Sequence, residues 1–321
     1  MASIRCGKRV QDCLNCTEAP CPLLKEVLEK GRDQDREKPK YKTGEEAPRN
    51  RLNHLSGEEW LYFTKTVMTT AYPSAYCHGL RKQHGANKPP QLMKELIEFF
   101  TKSDGCVLDP FAGVGGTLLG ASICQLPRAS VGIEINQRWI DLYHQVLEKH
   151  PELVPGEMHL GDCRKVMRNM QDNSFDFIAA DPPYNLQLKR TMCTGNDSVF
   201  NNRHTDYNML SEENGDLANS GNYEDFLKAM GEVFVQCFRV LKPGKYMVVI
   251  LRNAYQEGRY IFTQADLARV AQEINGNSGF IPKGEKIWYQ AGARLRPYGY
   301  PFAYVPNIVH QYILILQKPK G

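Results

Sequence analysis

Residues 175–187 read FDFIAADPPYNLQ, an apolar run that ends on an acid, two prolines and an aromatic ring. Pro183 forces Pro182 into an extended conformation, and neither proline can donate a hydrogen bond to a neighbouring strand. The carbonyl of Pro182 is therefore expected to stand open beside the carboxylate of Asp181. Two acceptors aimed at one spot are what an NH2 group requires of its binding site. On a nucleobase such an amine is a poor nucleophile, because its lone pair is delocalised into the ring. Accepting hydrogen bonds from both N–H groups favours a pyramidal nitrogen and concentrates the lone pair, a preorganisation worth a few kcal/mol. The ring of Tyr184 can stack on a base that has left the helix, since an atom inside a duplex cannot be reached. A plain strand-ending turn would need neither the acid nor the ring.

Three further strand ends describe the partner of that amine. LDPFAGVGGTLLGA (108–121) ends a strand on Asp109 and opens a helix with Gly113, Gly115 and Gly116. Glycines let backbone approach a ligand, and a helix start offers unpaired N–H groups to it. Glu134, some twenty residues on, suits ribose hydroxyls, and Asp162 in LGDC suits an adenine amino group. Singly, each acid has an ordinary use as a helix cap or solvated strand end; the ordered set of three carries the reading. Neither a correctly placed G-x-G-x-x-G turn nor a Walker lysine is present, which excludes the usual dinucleotide and nucleoside triphosphate sites. S-adenosylmethionine remains, with Asp109 and the glycine turn at its amino-acid end and its sulfonium methyl in line with the amine.

The elements that must position these residues alternate. Strand-like runs lie at 105–109, 129–135, 157–160, 175–180, 245–251, 286–290 and 310–318, with amphipathic helical patterns between the first five. The helix ending RVLKPG closes on the Pro-Gly stop expected after a helix. Alternation predicts an α/β fold with a parallel sheet, which binds ligands outside the carboxyl ends of its strands. Two segments break the rhythm: the polar span 188–222, too long for a simple connection, and GARLRPYGYPFAYVPN (292–307), which interleaves arginines with aromatic rings.

The 321 residues, 42% hydrophobic and 24% charged, can bury a sizeable core, and the net charge of +4 permits nucleic-acid contact without demanding it. No signal pattern and no apolar run of about 18 residues is present, so a cytoplasmic protein with no membrane partner is expected. Six of the ten cysteines are scattered singly, as in a reduced compartment. The other four, Cys6, Cys13, Cys16 and Cys21, follow a C-x6-C-x2-C-x4-C spacing. Four thiolates so close can close a tetrahedral zinc site; an iron-sulfur cluster, with Pro22 after the last cysteine, and unligated thiols are the other readings. Three parts are thus expected: a Cys-rich segment over 1–30, a charged linker over 31–51 and the main domain over 52–321.

Over roughly residues 52–318 the sequence resembles the amino-methylating DNA methyltransferases that make N6-methyladenine or N4-methylcytosine. The stretches that carry this are LNHLSGEEW, HGANKPPQLMKELIEFF, LDPFAGVGGTLLGA, VGIEIN, GD, DPPYN and RVLKPG. The resemblance implies a class I SAM-dependent methyltransferase fold, a Rossmann-like seven-stranded mixed sheet whose last strand is antiparallel. Carried over by motif, Asp181, Pro182, Pro183 and Tyr184 hold and stack the target base. Asp109, Phe111, Gly113, Gly115, Glu134 and Asp162 hold S-adenosylmethionine, with Lys88 and Pro89 beside its methionine end. The cofactor motif precedes DPPY, the reverse of many relatives. The implied partner is double-stranded DNA, in a bacterial, archaeal or phage setting; a homodimer and a cognate restriction endonuclease are left open. Adenine is favoured, because cytosine-N4 enzymes more often carry a serine in place of Asp181. Sequence recognition is expected from Lys189, Arg190, Asn201, Asn202 and Arg203 in the span after DPPY, with Arg294 and Arg296 as the second choice. The cysteine-rich start lies outside the shared core. The competing readings are an RNA guanine-N2 methyltransferase and a catalytically silent nucleic-acid-binding subunit.

Overall fold

In the computed structural model the described residues are 50–183, 215–256, 258–290 and 292–320. Cys6, Cys13, Cys16, Cys21, Tyr184, Lys189, Arg190, Asn201, Asn202 and Arg203 lie outside them, as do most of the expected linker and most of the 188–222 span.

Eight strands form one sheet in the order β1-β11-β12-β6-β5-β2-β3-β4. They are β1 (Val67–Met68), β2 (Cys106–Asp109), β3 (Ala129–Glu134), β4 (Glu157–Leu160), β5 (Phe175–Ala180), β6 (Leu241–Leu251), β11 (Ile281–Tyr289) and β12 (His310–Gln317). Two short hairpins, β7–β8 (Ala254–Gln256, Arg259–Ile261) and β9–β10 (Glu273–Ile274, Asn277–Ser278), stand outside it. Strands β4, β3, β2, β5 and β6 run parallel, while β12 is antiparallel to both β6 and β11. The seven strands expected from the sequence are therefore joined by an eighth, the two-residue β1, parallel to β11.

The helices among the described residues are α1 (Gly57–Phe63), α2 (His78–Arg81), α3 (Pro90–Phe100), α4 (Gly116–Ser122), α5 (Gln137–Lys149), α6 (Cys163–Arg168), α7 (Tyr223–Val240) and α8 (Thr263–Gln272). They cover both faces of the sheet, which is why β5 reads as a continuous apolar run with all six residues buried. Side chains alternate across it: Ile178 and Ala180 of β5 with Met247, Val249 and Leu251 of β6 pack beneath α7 and α8, whereas Phe177, Ala179, Val248 and Ile250 pack against α3. Asp176 alone breaks the run, and its carboxylate accepts from Lys242 at 2.7 Å and the Cys106 N–H at 3.1 Å and pairs with Lys245 at 3.1 Å.

One local expectation is corrected. The Pro-Gly of RVLKPG does not follow the helix as a stop: α7 ends at Val240, Leu241 is already extended, and Pro243 and Gly244 lie inside β6. Pairing with β5 captures the chain at once at Phe175↔Leu241, and the extra residues are absorbed as an irregularity before Phe177↔Tyr246.

The strand order positions the site. From β2 the chain moves outward through β3 and β4, then returns to the other side of β2 as β5, so the direction of winding reverses between β2 and β5. Helices diverge there and leave a crevice at the carboxyl ends. Asp109 ends β2 and Asp181 directly follows β5. No helix among the described residues is long and apolar enough to cross a membrane.

Candidate active site

At that reversal lies a cleft, which also receives the ends of β3 and β4. Of the residues singled out from the sequence, Lys88, Asp109, Phe111, Gly113, Glu134, Asp162, Asp181, Pro182 and Pro183 all line it.

Asp109 is buried, and its carboxylate accepts from the Phe111 N–H at 2.9 Å and from the Thr117 hydroxyl. Burial pushes its pKa up to about 7, against the pull of those two donors and with a further push from Asp181 and Glu134. Glu134 accepts from the N–H of Gly113 at 2.9 Å and that of Asn136 at 2.9 Å, one on each oxygen. It too is lifted to about 7, mainly by burial. The glycine turn and the acid of β3 thus brace one another. Asp162 caps α6, accepting from the Arg164 N–H at 2.9 Å, and is gripped by the Arg164 guanidinium at 3.0 and 2.8 Å. Asp181 is paired with Lys88, Nζ to Oδ2, at 2.5 Å.

The remaining expected residues stand elsewhere. Gly115 caps α4 at φ +77°, and a Cβ there would come within 2.2 Å of the Tyr143 ring, so close packing against α5 needs this glycine. Pro89 caps α3 in an extended conformation, with Pro90 at its first position. Arg294 and Arg296 do not line the cleft. They belong to the connection from β11 to β12, where Arg294 is exposed and the backbone of Arg296 is bridged to the Asn307 side chain by two bonds of 2.8 Å. The pairs Tyr289↔His310 and Tyr312↔Leu251 bring this connection out at the same sheet edge as Asp181. Its tip exposes Tyr300, Phe302 and Tyr304 at 76%, 88% and 86%.

Several lining residues had no reading in the sequence. His84 packs edge-on against Trp139, 4.8 Å between centroids, and burial lowers its pKa to about 4, helped by the charges of Lys88 and Arg81. Asp216 and Leu217 close the rim; Asp216 caps a short turn through the Ala218 N–H at 2.9 Å. An Asp two residues ahead of a small residue within the polar span was the available cue.

Five acids, Asp109, Glu134, Asp162, Asp181 and Asp216, line the cleft against one lysine. Such a lining repels a pyrophosphate and attracts a cation. Apolar walls from Phe111, Ile133, Ile135, Trp139 and Leu217 offer faces to a purine. Paired acceptors, hydrophobic walls and a glycine turn fit S-adenosylmethionine, which carries a sulfonium, ribose hydroxyls and an adenine amine. Among the described residues no group of three or more His, Cys, Asp or Glu is arranged to hold a metal.

A family model described as DNA methylase, of the N6/N4 type, matches residues 24–145 and 175–321. This chain belongs to that family. The chain is 53% identical over 53 residues to the Type II methyltransferase M.HindIII of Haemophilus influenzae, a stretch covering 16% of each chain. It is also 29% identical over 96 residues to the tRNA (guanine(10)-N2)-dimethyltransferase of Pyrococcus abyssi, 30% of this chain and 28% of that one. The matches therefore span well under a third of the length of these curated relatives. Among solved structures, TrmN from Thermus thermophilus superposes with a TM-score of 0.44 at 16% identity, covering 71% of this chain and 48% of that one.

Proposed function

We propose that this N6/N4 DNA methylase chain is a site-specific methyltransferase that modifies the exocyclic amine of a base turned out of double-stranded DNA, adenine N6 in the first place. The observation that supports it best is the shared cleft: Asp181 and Pro182, an acceptor pair suited to an NH2 group, line the same crevice as Asp109, Gly113 and Glu134.

In this reading S-adenosylmethionine supplies the sulfonium methyl group. Glu134 takes the ribose hydroxyls, Asp162 the adenine amine, and Asp109 with the turn at Gly113 the amino-acid end. Lys88 and Pro89 lie on the approach to that end. Asp181 and the Pro182 carbonyl accept the two N–H bonds of the target amine, pyramidalise it and aim its lone pair along the carbon–sulfur axis. The transfer would break the methyl carbon–sulfur bond, the electron pair staying on a neutral thioether that leaves, as the amine lone pair takes the carbon; Asp181 is the base within reach of the proton the amine then sheds. The hydrophobic walls keep water from the methyl group. Tyr184 stacks on the turned-out base. Lys189, Arg190, Asn201, Asn202 and Arg203 read the sequence, while Arg294 and Arg296 reach the duplex from the β11–β12 connection. Cys6, Cys13, Cys16 and Cys21 hold a structural zinc.

Two alternatives use the same acceptor pair: cytosine N4, and the guanine N2 of a tRNA, which the likeness to the Pyrococcus abyssi enzyme favours as second reading. Incubation with methyl-tritiated cofactor and either duplex DNA or tRNA, followed by digestion to nucleosides, separates them. Label in N6-methyladenine is the expected result. Label in tRNA guanine, or none in DNA from protein that binds the cofactor, overturns the proposal. Metal analysis of the full chain should give about one zinc per chain; bound iron with sulfide, or no metal in a folded active chain, removes the zinc.

A further inference from the structure

The contact between Lys88 and Asp181 has a use that base and cofactor binding alone leave unexplained. Nζ lies 2.5 Å from Oδ2, with the two side chains only 7% and 17% exposed. Burying such a pair is at best neutral for stability when set against well-packed apolar side chains. The root of the lysine is nevertheless fixed from three directions. Its carbonyl accepts from Arg81 Nη2 at 2.6 Å, and that arginine is wholly buried, with Nε and Nη1 lacking a partner among the described residues. Pro89 follows it and confines it to extended backbone, while Pro90 opens α3. Gly116 gives the same carbonyl room, since a Cβ at that position would stand 3.0 Å from it. A cation on a fixed root is thus delivered across the cleft to the strand end that follows β5.

We propose that Lys88 is the positioning residue of Asp181: its ammonium holds the carboxylate in one plane and in the ionised form that accepts the target amine, while Arg81 pins the lysine's backbone. This rests on the methyl transfer proposed above. The surroundings explain the need. Asp181 shares its lining with Asp109, Glu134, Asp162 and Asp216, and Asp109 and Asp181 oppose one another's ionisation. Arg164 is occupied by Asp162 and Glu232, and His84 is held neutral by burial, so Lys88 is the cation that meets Asp181 among the described residues of the cleft.

The test compares the full chain with Lys88→Met and Lys88→Arg by three readouts: calorimetry of cofactor binding, methyl transfer to duplex DNA as a function of pH, and carbon-13 titration of the Asp181 carboxyl. In Lys88→Met the cofactor Kd should rise up to about tenfold, since Lys88 also borders the cofactor's amino-acid end, while misplacement of the carboxylate lowers kcat about 100-fold even at saturating cofactor. The acid limb of kcat should move to higher pH by about one unit. Lys88→Arg keeps the charge, holds the wild-type limb and recovers most of kcat. A limb unmoved in Lys88→Met, or a loss confined to cofactor affinity with kcat intact, overturns the inference. If Lys88→Met does not fold, the carboxyl titration of the wild-type chain decides. Ionisation below the ordinary aspartate range supports the role, and ionisation at or above that range overturns it. A wild-type chain that binds cofactor but leaves DNA unmethylated removes the functional reading instead, whatever the titration gives.

Discussion

The two halves of the sheet's carboxyl edge are finished to different degrees. On the side of β2, β3 and β4 the acids are already engaged by the chain's own donors: Glu134 by two backbone N–H groups, Asp109 by Phe111 and Thr117, Asp162 by Arg164. On the side of β11 and β12 the connection holds itself together, through Asn307 on the Arg296 backbone and the Phe302 and Ala303 N–H groups on the Gly299 carbonyl at 2.7 Å, yet it turns its large rings to water. One half is braced for a small ligand of set shape. The other exposes apolar surface of the kind that marks contact with a large partner.

That contrast can be broken in order of expected effect. Asp181→Ala should lower kcat about 1,000-fold while cofactor affinity changes only a few-fold, as calorimetry beside a transfer assay would report; equal losses in both would erase the division between the halves. Glu134→Gln keeps the shape and removes the charge, and should weaken cofactor binding about tenfold without changing DNA affinity. Phe302→Ala or Tyr304→Ala should act in the opposite sense. Each is expected to weaken duplex binding about fivefold to tenfold, in the range of one lost stacking contact, and to leave cofactor affinity alone. Gly115→Ala should lower the melting temperature, by an overpacking penalty of about 1–3 kcal/mol against Tyr143, in both liganded and free protein.

The braced half also predicts a pH signature. Asp109 and Glu134 ionise near 7 in the folded chain and in the ordinary carboxylate range once unfolded, so the folded state binds the extra protons. Ligand-free stability should therefore fall as pH rises from about 4 to about 7 and level off above. Melting temperatures across that window check the slope, and Glu134→Gln should flatten part of it and raise stability at pH 8. A slope of the opposite sign would mean that neither acid is desolvated as the cleft describes.

Much of this was legible in the sequence, for identifiable reasons. The runs at 129–135, 157–160 and 175–180 are bounded by polar or turn residues, so their strand limits show to within a residue, the first of these strands ending at Glu134; for β5, burial on both faces makes the run continuous. Acids at strand ends are legible because a parallel sheet sends every carboxyl end to one edge. What escaped was non-local. Lys88 and Asp181 are separated by about ninety residues and follow no shared period, so nothing in the linear pattern announces their contact. His84 and Arg81 lie in a stretch of short helical turns whose neighbours are set by tertiary packing. The Pro-Gly after α7 misled because strand pairing at Leu241 overrode the local stop signal.

The adjacency of β2 and β5 carries a consequence for how the protein comes into being. Asp109 and Asp181 belong to neighbouring strands but are about seventy residues apart along the chain, and the intervening β3 and β4 lie on the far side of β2. A ribosome-bound chain that ends before β5 has the acids that end β2 and β3 but lacks Asp181 and Pro182 on the other side of the cleft. Closure of a long loop is slow relative to local helix formation, which makes this seam a late step of assembly. A chain cut before β5 is therefore expected to be inert in the proposed transfer, because the two acids meet only when this seam closes.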